Sequence, residues 1–340
     1  MKGQYLSPPV DDRQIWDIWL SFHHLPAMLA ADEIGLFDAL ADGPLTLDAL
    51  AARCKVNARA LGILNSLLAG LGLLVRREGR YGLTPVSRAY LVKSSGFYWG
   101  ALLAGTRRSA PATEEIITAL APDARHAGGE NAQGWEAGEI PLERARAIAA
   151  FMHAHSCAAA IGAAQHPVLA QVERLLDVGG GSGVFSIAMA QRWPHLRATV
   201  MDLENMCIAA MDYVRDGEVA DRVDTLAIDM FRQPWPTGHD ALFFSNVFHD
   251  WSDETCLELA RKAFDMLPSG GRIMLHEALI NDNLDGPTTP ASFSVLMLYR
   301  TQGRQFSLPD LAELLGRAGF AGCEATATCG YYSLIVARKP

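Results

Sequence analysis

The sequence predicts an α/β fold in which a parallel sheet follows a mostly helical N-terminal region. From Glu173 onward, short apolar runs alternate with helical patterns, as parallel strands joined by crossover helices require. Before that point, three helical patterns follow one another between residues 12 and 71. With 340 residues, half of them hydrophobic, the chain is long enough for two domains. We expect an N-terminal domain over 1–105, a helical connector over 106–172 and the sheet domain over 173–340.

The first helical pattern, over residues 12–31, is apolar and carries little charge. Its large apolar side chains recur at helical spacing: Ile15, Trp16, Ile18, Trp19, Phe22, Leu25, Met28 and Leu29. A surface of this kind needs a partner to cover it. The pattern therefore indicates either a core helix or a helix at a subunit interface.

Two further helices and a hairpin follow this first pattern. Thr46 has the position of an N-cap before one helix, and residues 57–71 form the next. A charged turn around Gly79 separates two short strands. This order is typical of a winged helix. Because its second helix is apolar nearly all round, it lacks the exposed basic face that a DNA-recognition helix needs.

Composition narrows the classes of function. The net charge of −9 argues against nucleic acid or an anionic membrane surface as the main partner. The six cysteines are scattered, without the C-x-x-C pair that indicates zinc or a redox dithiol. The first residues lack a signal peptide's apolar run, and no run of about 18 apolar residues predicts a membrane span. We expect a cytoplasmic protein that acts on a small molecule.

The most informative stretch is Asp177–Gly183, where an apolar strand from Leu175 enters a glycine-rich turn before a helix over 185–192. Without a Cβ atom, glycine takes positive φ and lets a ligand approach the amides at the helix N-terminus. A dinucleotide-binding turn requires glycine or alanine at Val184, which is valine here. With Asp177 ending the strand, the turn resembles the first motif of class I S-adenosylmethionine-dependent methyltransferases. The resemblance implies that this carboxylate helps to hold the methionine end of the cofactor.

The strands after the glycine turn end in residues suited to a nucleoside. Asp202 ends the strand over 198–202, about 20 residues beyond the turn, where an acid accepts from both ribose hydroxyls; the alternative is a cap of the next helix. Asp229, near the end of a strand over 223–231, can accept from an adenine amino group while Met230 packs on the ring. Further strands are predicted over 241–247, 271–277, 323–328 and 331–337, the last two as a hairpin.

Several motifs occur together in one order: Asp177–Gly183, Asp202-Leu203, Asp229–Phe231, His249–Glu254 and Pro268–Gly271. Together they resemble the winged-helix small-molecule O-methyltransferases, typified by plant caffeate and flavonoid enzymes and bacterial antibiotic-tailoring enzymes. The resemblance covers nearly the whole chain. It implies a Rossmann-like methyltransferase sheet, S-adenosyl-L-methionine as cofactor, and an N-terminal winged-helix domain that forms a homodimer. The cofactor-binding residues that it implies are Asp177, Gly179, Gly180, Gly181, Asp202, Leu203, Asp229, Met230, Ser245 and Trp251.

The resemblance places the catalytic base at His249 and the acid that orients it at Glu277. A phenolic hydroxyl with a pKa of about 10 is mostly neutral at pH 7, and an imidazole with a pKa of about 6.5 can take its proton. Glu277, at the end of the neighbouring strand, can select the imidazole tautomer and favour the cation. The alternative is that His249 merely begins the next helix.

The acceptor pocket is expected to have an aromatic and apolar wall, which suits a flat aromatic or polyene substrate with one polar handle. Its predicted residues are Phe151, Met152, His155, Phe248, Phe293, Met297, Leu298 and Gln305. Two positions depart from the plant members. Gln305 replaces a second glutamate that flanks the histidine there, and Ser245 stands where lysine is common.

Other hypotheses stay open at this point. The same site can methylate nitrogen or carbon by positioning alone. A nicotinamide-dependent oxidoreductase shares the sheet and Asp202, but Val184 and the His249–Trp251 run argue against it. A ligand-sensing winged-helix regulator is opposed by the acidic charge and the apolar second helix. We expect no metal, because no cluster of Asp, Glu and His at ligand spacing lies beside the glycine turn.

Overall fold

The computed structural model describes residues 10–95, 98–100, 103, 106, 112–122, 124 and 140–340. The chain divides into two compact units. An N-terminal unit holds residues 14–132 and 280–307, and a catalytic-side unit holds residues 1–13, 133–279 and 308–340. Residues 280–307 therefore belong to the N-terminal unit, although no local pattern in the sequence indicates this. The boundary at 105 and the connector over 106–172 stay predictions.

The N-terminal unit is mostly helical within the described residues. Its elements are α1 Arg13–Leu20, a 3₁₀ turn Ser21–His23, α2 His24–Glu33, α3 Leu36–Ala39, β1 Leu45–Thr46, α4 Leu47–Cys54, α5 Ala58–Gly70, β2 Leu74–Arg77, β3 Arg80–Leu83, α6 Pro85–Tyr90, α7 Ala112–Leu120 and α12 Thr288–Arg300. The three short strands pair antiparallel in the order β1-β3-β2. The helix, helix and hairpin expected for a winged helix are all present.

Side-chain caps begin both central helices of this unit. The amide of Ala49 donates to Thr46 Oγ1 at 3.4 Å ahead of α4, and the amide of Ala60 donates to Asn57 Oδ1 at 3.0 Å ahead of α5. Eight of the thirteen residues of α5 are buried. The prediction of a buried second helix is confirmed, because α5 packs against α12.

The apolar N-terminal pattern is divided between two surfaces. A 3₁₀ turn at Ser21–His23 separates α1 from α2, so the stripe is not one continuous helix. Trp16 and Leu20 are buried, whereas other apolar side chains remain exposed in the single chain. The exposed set is Ile15, Ile18, Trp19, Phe22 and Leu25, called the apolar face of α1–α2 below.

The catalytic-side unit is built on a seven-stranded sheet within the described residues. Its elements are α8 Leu142–Ala164, a 3₁₀ turn Pro167–Gln171, β4 Arg174–Val178, α9 Val184–Arg192, β5 Arg197–Asp202, α10 Glu204–Asp216, β6 Val223–Ala227, β7 Ala241–Ser245, a 3₁₀ turn Phe248–Asp250, α11 Asp253–Met266, β8 Arg272–Ala278, α13 Leu308–Arg317, β9 Ala321–Ala327 and β10 Tyr332–Arg338. The strand order is β6-β5-β4-β7-β8-β10-β9.

Strands β4 to β8 run parallel, and β10 pairs antiparallel with β8 and β9. The doubly wound order puts β4 and β7 at the centre, so their carboxyl ends open at the point where the winding direction reverses. The predicted α/β class with a parallel sheet is confirmed. The terminal hairpin is also confirmed, as β9 and β10.

The third strand of this sheet is shorter than the pattern over 223–231 indicates. Strand β6 ends at Ala227, and residues 228–240 form an irregular loop before β7. The amides of Phe231 and Arg232 donate to Asp229 Oδ1 at 2.9 and 3.2 Å. Because the side chain of Asp229 satisfies these amides, the chain turns here instead of extending the strand.

Among the described residues, no single helix is both long and apolar enough to cross a membrane. The two halves of α8, Leu142–His153 and His155–Ala164, meet that test of length and composition only as a pair with a 58° bend between them.

Candidate active site

A cleft opens at the carboxyl ends of the parallel strands in the catalytic-side unit. Its walls come from the glycine turn, from the ends of β5 and β7, and from the loop after β6. The lining residues are Met152, Gly179, Met201, Asp202, Leu203, Ile228, Asp229, Met230, Phe231, Asn246, Val247, Asp250 and Trp251. Six of the ten predicted cofactor-binding residues line it, namely Gly179, Asp202, Leu203, Asp229, Met230 and Trp251.

The glycine turn leaves bare backbone where side chains have no room. Gly179, Gly181 and Gly183 take φ of 68°, 57° and 73°, which favours glycine. A Cβ at Gly180 would lie 2.8 Å from Asp177 Cγ and 2.8 Å from Val200 Cγ1. The turn thus tolerates no side chain at its tip.

Asp202 connects the end of β5 to the glycine turn. Its carboxylate accepts hydrogen bonds from the amide of Gly181 at 2.9 Å and from the amide of Leu203 at 2.7 Å. Burial raises the pKa of Asp202 to about 6, and these two amide donors oppose that rise. Each carboxylate oxygen keeps a further lone pair, so the group can still accept from a diol in the cleft.

Asp177 lies beneath the turn instead of on the wall of the cleft. It is fully buried, and Ser186 donates its hydroxyl to Asp177 Oδ2 at 2.7 Å. Burial raises the pKa of Asp177 to about 7. In this geometry the carboxylate braces the first turn of α9, and its direct contact with a ligand stays a prediction.

The side chain of Asp229 is already used by its own loop. One carboxylate oxygen, Oδ1, accepts from the amides of Phe231 and Arg232, and Arg232 Nη1 lies 3.5 Å from the other. Phe231 and Trp251 form an edge-to-face pair on the same wall, with ring centroids 4.7 Å apart.

His249 and Glu277 come together although 28 residues separate them in sequence. His249 lies in the 3₁₀ turn after β7, and Glu277 lies on the adjacent strand β8. His249 Nδ1 is 3.1 Å from Glu277 Oε2, and both side chains are almost completely buried. An Nδ1–H donor to this carboxylate leaves Nε2 as the basic nitrogen.

Asp250 and Asn246 are two cleft residues that the sequence analysis did not select. Asp250 Oδ1 lies 3.7 Å from His249 Nε2, and burial raises the pKa of Asp250 to about 6. Asn246 takes a left-handed φ of 54° directly after β7. Asp250 is the middle residue of the His249–Trp251 run, whose first and last residues are the ones that the sequence analysis selects.

Of the predicted acceptor-pocket residues on α8, His155 is the one that interacts electrostatically with His249. Burial and, to a lesser extent, the charge of His249 lower the pKa of His155 to about 4. The Phe151 ring meets His155 edge-on at 5.0 Å but is 58% exposed. Met152 instead covers the glycine turn, since its Sδ lies 2.8 Å from where a Cβ of Gly181 would be.

The structure gives two other predicted residues packing partners outside the cleft. Ser245 Oγ lies 3.2 Å from Nδ1 of the buried His276, and Ser245 is not among the residues that line the cleft. Phe248 is fully buried and meets Phe244 edge-on at 5.1 Å. Their predicted contacts with cofactor and substrate stay predictions.

Phe293, Met297, Leu298 and Gln305 belong to the N-terminal unit, where all four are buried. Phe293 packs against Trp16 and Trp19, with ring centroids 5.8 and 6.3 Å apart. The amide of Gln305 donates to Ser294 Oγ at 3.0 Å.

Comparison with known proteins identifies the family. A model described as the O-methyltransferase domain matches residues 133–321, and a model of the O-methyltransferase dimerisation domain matches residues 16–93. The chain is 33% identical over 297 residues to a 3-hydroxy-5-methyl-1-naphthoate 3-O-methyltransferase of Streptomyces sahachiroi, covering 86% of this chain and 84% of that protein. The chain belongs to the O-methyltransferase family. It is an S-adenosylmethionine-dependent O-methyltransferase.

Two further relatives of this O-methyltransferase show how the family varies. An O-methyltransferase family 2 protein from Planctomyces limnophilus, solved in complex with apigenin, has a TM-score of 0.89 and 29% identity, and 99% of each chain is covered. An L-tyrosine C(3)-methyltransferase of Streptomyces lavendulae is 28% identical over 300 residues, covering 86% of this chain and 82% of that protein.

The cleft of the O-methyltransferase fits S-adenosylmethionine on its own chemistry. The turn that excludes a Cβ at Gly180 presents backbone amides, and the carboxylate of Asp202 faces the cleft as an acceptor. Met230, Phe231 and Trp251 supply flat or polarisable apolar surface for an aromatic base. These residues would hold the cofactor, whose sulfonium supplies an electrophilic methyl group when bound.

The glycine turn yields a first prediction. We expect Gly180→Ala to weaken binding of S-adenosylhomocysteine by about tenfold or more, because the new methyl group must displace Asp177 or Val200. Gly316→Ala is the matched control, since a Cβ there meets no atom within 4 Å. Calorimetric titration of both variants measures the effect, and equal affinities for the two would contradict it.

The buried acids of the cleft yield a second prediction. We expect the affinity for S-adenosylhomocysteine to fall as pH drops below about 6, by at most about tenfold per pH unit for one proton, because protonation of Asp202 removes an acceptor. Asp202→Asn should abolish most of this dependence. Asp250→Asn, which removes the other cleft carboxyl with a pKa of about 6, should retain it. A pH-independent affinity in the unaltered protein would refute the assignment.

Proposed function

We propose that this enzyme transfers the methyl group of S-adenosylmethionine to a hydroxyl of a small aromatic metabolite, with His249 as general base and Glu277 as the acid that orients it. The observation that carries the proposal is the 3.1 Å contact between His249 Nδ1 and Glu277 Oε2 beside the cleft. The pair is buried, so the contact is not weakened by solvent.

In this proposal the proton of the acceptor hydroxyl moves to His249 Nε2 as the oxygen attacks the methyl group. Glu277 accepts from Nδ1–H throughout, which selects the tautomer and stabilises the imidazolium that forms. Asp250, 3.7 Å from Nε2, adds negative charge on the same side. The neutral His155 next to His249 supplies a further hydrogen-bonding group without a competing charge.

The aromatic substrate class rests on relatives and on the predicted pocket residues. One relative is named for a hydroxynaphthoate, and the Planctomyces limnophilus protein was solved with apigenin. Both compounds are flat and carry phenolic hydroxyls. Phe293, Met297 and Gln305 are kept as proposed acceptor contacts on the resemblance alone.

Methylation at carbon or nitrogen is the second candidate. A relative named as an L-tyrosine C(3)-methyltransferase and another named as an N,N-dimethyltransferase match most of this chain at 28% and 29% identity. A neutral amine acceptor already carries a lone pair and depends less on a general base than a phenol does, because positioning supplies much of the rate. An aromatic carbon acceptor must still lose its ring proton to a base. The dependence of turnover on His249 therefore separates oxygen from nitrogen as the acceptor, and the position of the methyl group in the product identifies carbon.

The catalytic proposal predicts that substitution of His249 or Glu277 lowers turnover but leaves cofactor affinity nearly unchanged. We expect His249→Ala to lower kcat by about 10²–10⁴-fold, and Glu277→Gln by about 10–100-fold, since the second change keeps an oxygen that can face Nδ1 but removes the charge. Affinity for S-adenosylhomocysteine should stay within about threefold of the unaltered enzyme, because neither residue lines the cofactor cleft.

The assay uses a panel of naphthols and flavones, including apigenin, with mass spectrometry of the product. If His249→Ala keeps kcat within about threefold, catalysis by positioning replaces the base mechanism. Activity that EDTA abolishes and magnesium restores would contradict our expectation of a metal-independent enzyme. No group of three or more potential metal ligands occurs among the described residues.

We also propose that the enzyme is a homodimer through its N-terminal unit. The dimerisation-domain match begins at residue 16, within the apolar face of α1–α2. Ile15, Ile18 and Phe22 are each more than 60% exposed in the single chain. A contiguous apolar face of this kind is typical of an interface.

The dimer proposal predicts that charge on this face produces monomers. We expect the double variant Ile18→Asp with Phe22→Asp to sediment as a monomer, because two buried carboxylates destabilise the interface. Val86→Asp alters an equally exposed apolar residue outside the face and should sediment as a dimer. Sedimentation velocity measures both, and a monomeric unaltered protein would overturn the proposal.

A further inference from the structure

The wall of the cleft formed by Asp229, Met230 and Phe231 lies on a loop without regular secondary structure. Residues 228–240 connect β6 to β7, and the carbonyls of Met230 and Gln233 lie outside the paired strands. A wall that must stay in place against a flat ligand needs other hydrogen bonds to hold its backbone. The contacts of this loop therefore bear on cofactor affinity.

Lys262 supplies two of these hydrogen bonds from outside the cleft. It lies on α11, and its ammonium donates to the carbonyl of Met230 at 2.6 Å and to the carbonyl of Gln233 at 2.8 Å. The same ammonium lies 5.1 Å from the centroid of the Trp235 ring. The ammonium group thus has two carbonyl acceptors and one aromatic ring as partners for its three N–H groups. Hydrogen bonds from a charged donor are stronger than those between neutral groups.

Trp235 is a second donor to the same carbonyl. Its indole Nε1 donates to Met230 O at 2.9 Å, and the ring is almost fully buried. The carbonyl of Met230 therefore accepts hydrogen bonds from two side-chain donors, Lys262 and Trp235. Lys262 itself does not line the cleft.

We propose that Lys262 is a positioning residue for the cofactor: it holds the Asp229–Phe231 wall in the conformation that receives the adenosine end of S-adenosylmethionine. This inference rests on the proposed function of the cleft. It assigns to Lys262 an effect on cofactor affinity and not on the methyl-transfer step, because its contacts are to Met230 and Gln233 and none is to His249 or Glu277.

The chain contains a matched control for this lysine. Lys339 donates to the carbonyls of Phe264 and Leu267 at 2.6 and 2.8 Å and lies 4.6 Å from the centroid of the Phe264 ring. The two ammonium groups thus make the same kinds of contact, with equal distances to the carbonyls and ring distances of 5.1 and 4.6 Å. Lys339 holds the C-terminal end of α11, whereas Lys262 holds the wall of the cleft.

The experiment compares Lys262→Met, Lys262→Arg and Lys339→Met by calorimetry with S-adenosylhomocysteine, by thermal unfolding and by steady-state kinetics. We expect Lys262→Met to raise the Kd and the KM for S-adenosylmethionine by about tenfold while kcat changes less than about twofold. Lys262→Arg, which can still donate to both carbonyls, should stay within about threefold. Lys339→Met should lower the Tm comparably and leave the Kd unchanged.

Equal loss of Tm in the two methionine variants with unchanged Kd in both would overturn the proposal, since Lys262 would then be structural only. If Lys262→Met does not fold, Trp235→Phe decides, because it removes the second donor to Met230 O and keeps an aromatic ring beside Lys262. A rise in its Kd of about threefold or more supports the proposal, and an unchanged Kd overturns it. If the unaltered protein binds no S-adenosylhomocysteine, the proposed function fails instead.

Discussion

Carboxylates buried at the ends of parallel strands are the constraint on which this enzyme depends. Asp177, Asp202 and Glu277 end or nearly end β4, β5 and β8, and all three are almost inaccessible to water. A buried carboxylate is unfavourable unless donors compensate it. Ser186 and the backbone amides around the glycine turn compensate the first two, and the imidazole of His249 faces the third.

The same requirement links stability to function in this site. The amide of Gly181, which donates to Asp202, belongs to the glycine turn. This turn has no room for a side chain at Gly180, so its backbone stays bare for a ligand. Burial raises the pKa of Asp202 to about 6 and of Asp177 to about 7, so both acids ionise closer to neutrality than they would in water. Hydroxyl donors on a ligand would relieve the cost of the ionised form.

A second feature of the site is that its walls have different kinds of support. The ends of β4, β5 and β7 are held by the sheet ladder itself. The loop over 228–240 lies outside the paired strands, and side-chain hydrogen bonds of Asp229, Trp235 and Lys262 help to hold its backbone. Affinity for the cofactor should therefore be sensitive to residues behind this loop that never touch the ligand.

The sequence by itself determined the elements whose signals are local: the parallel sheet, the helix capped at Thr46, the helix that starts at Asn57, and the glycine turn after Asp177. It also supplied His249 and Glu277, though only through the family resemblance. Tertiary structure alone decided the pairing of Lys262 with Met230 and the grouping of residues 280–307 with the N-terminal unit. Periodicity and caps act over a few residues, whereas these contacts depend on which surfaces meet after the chain has folded.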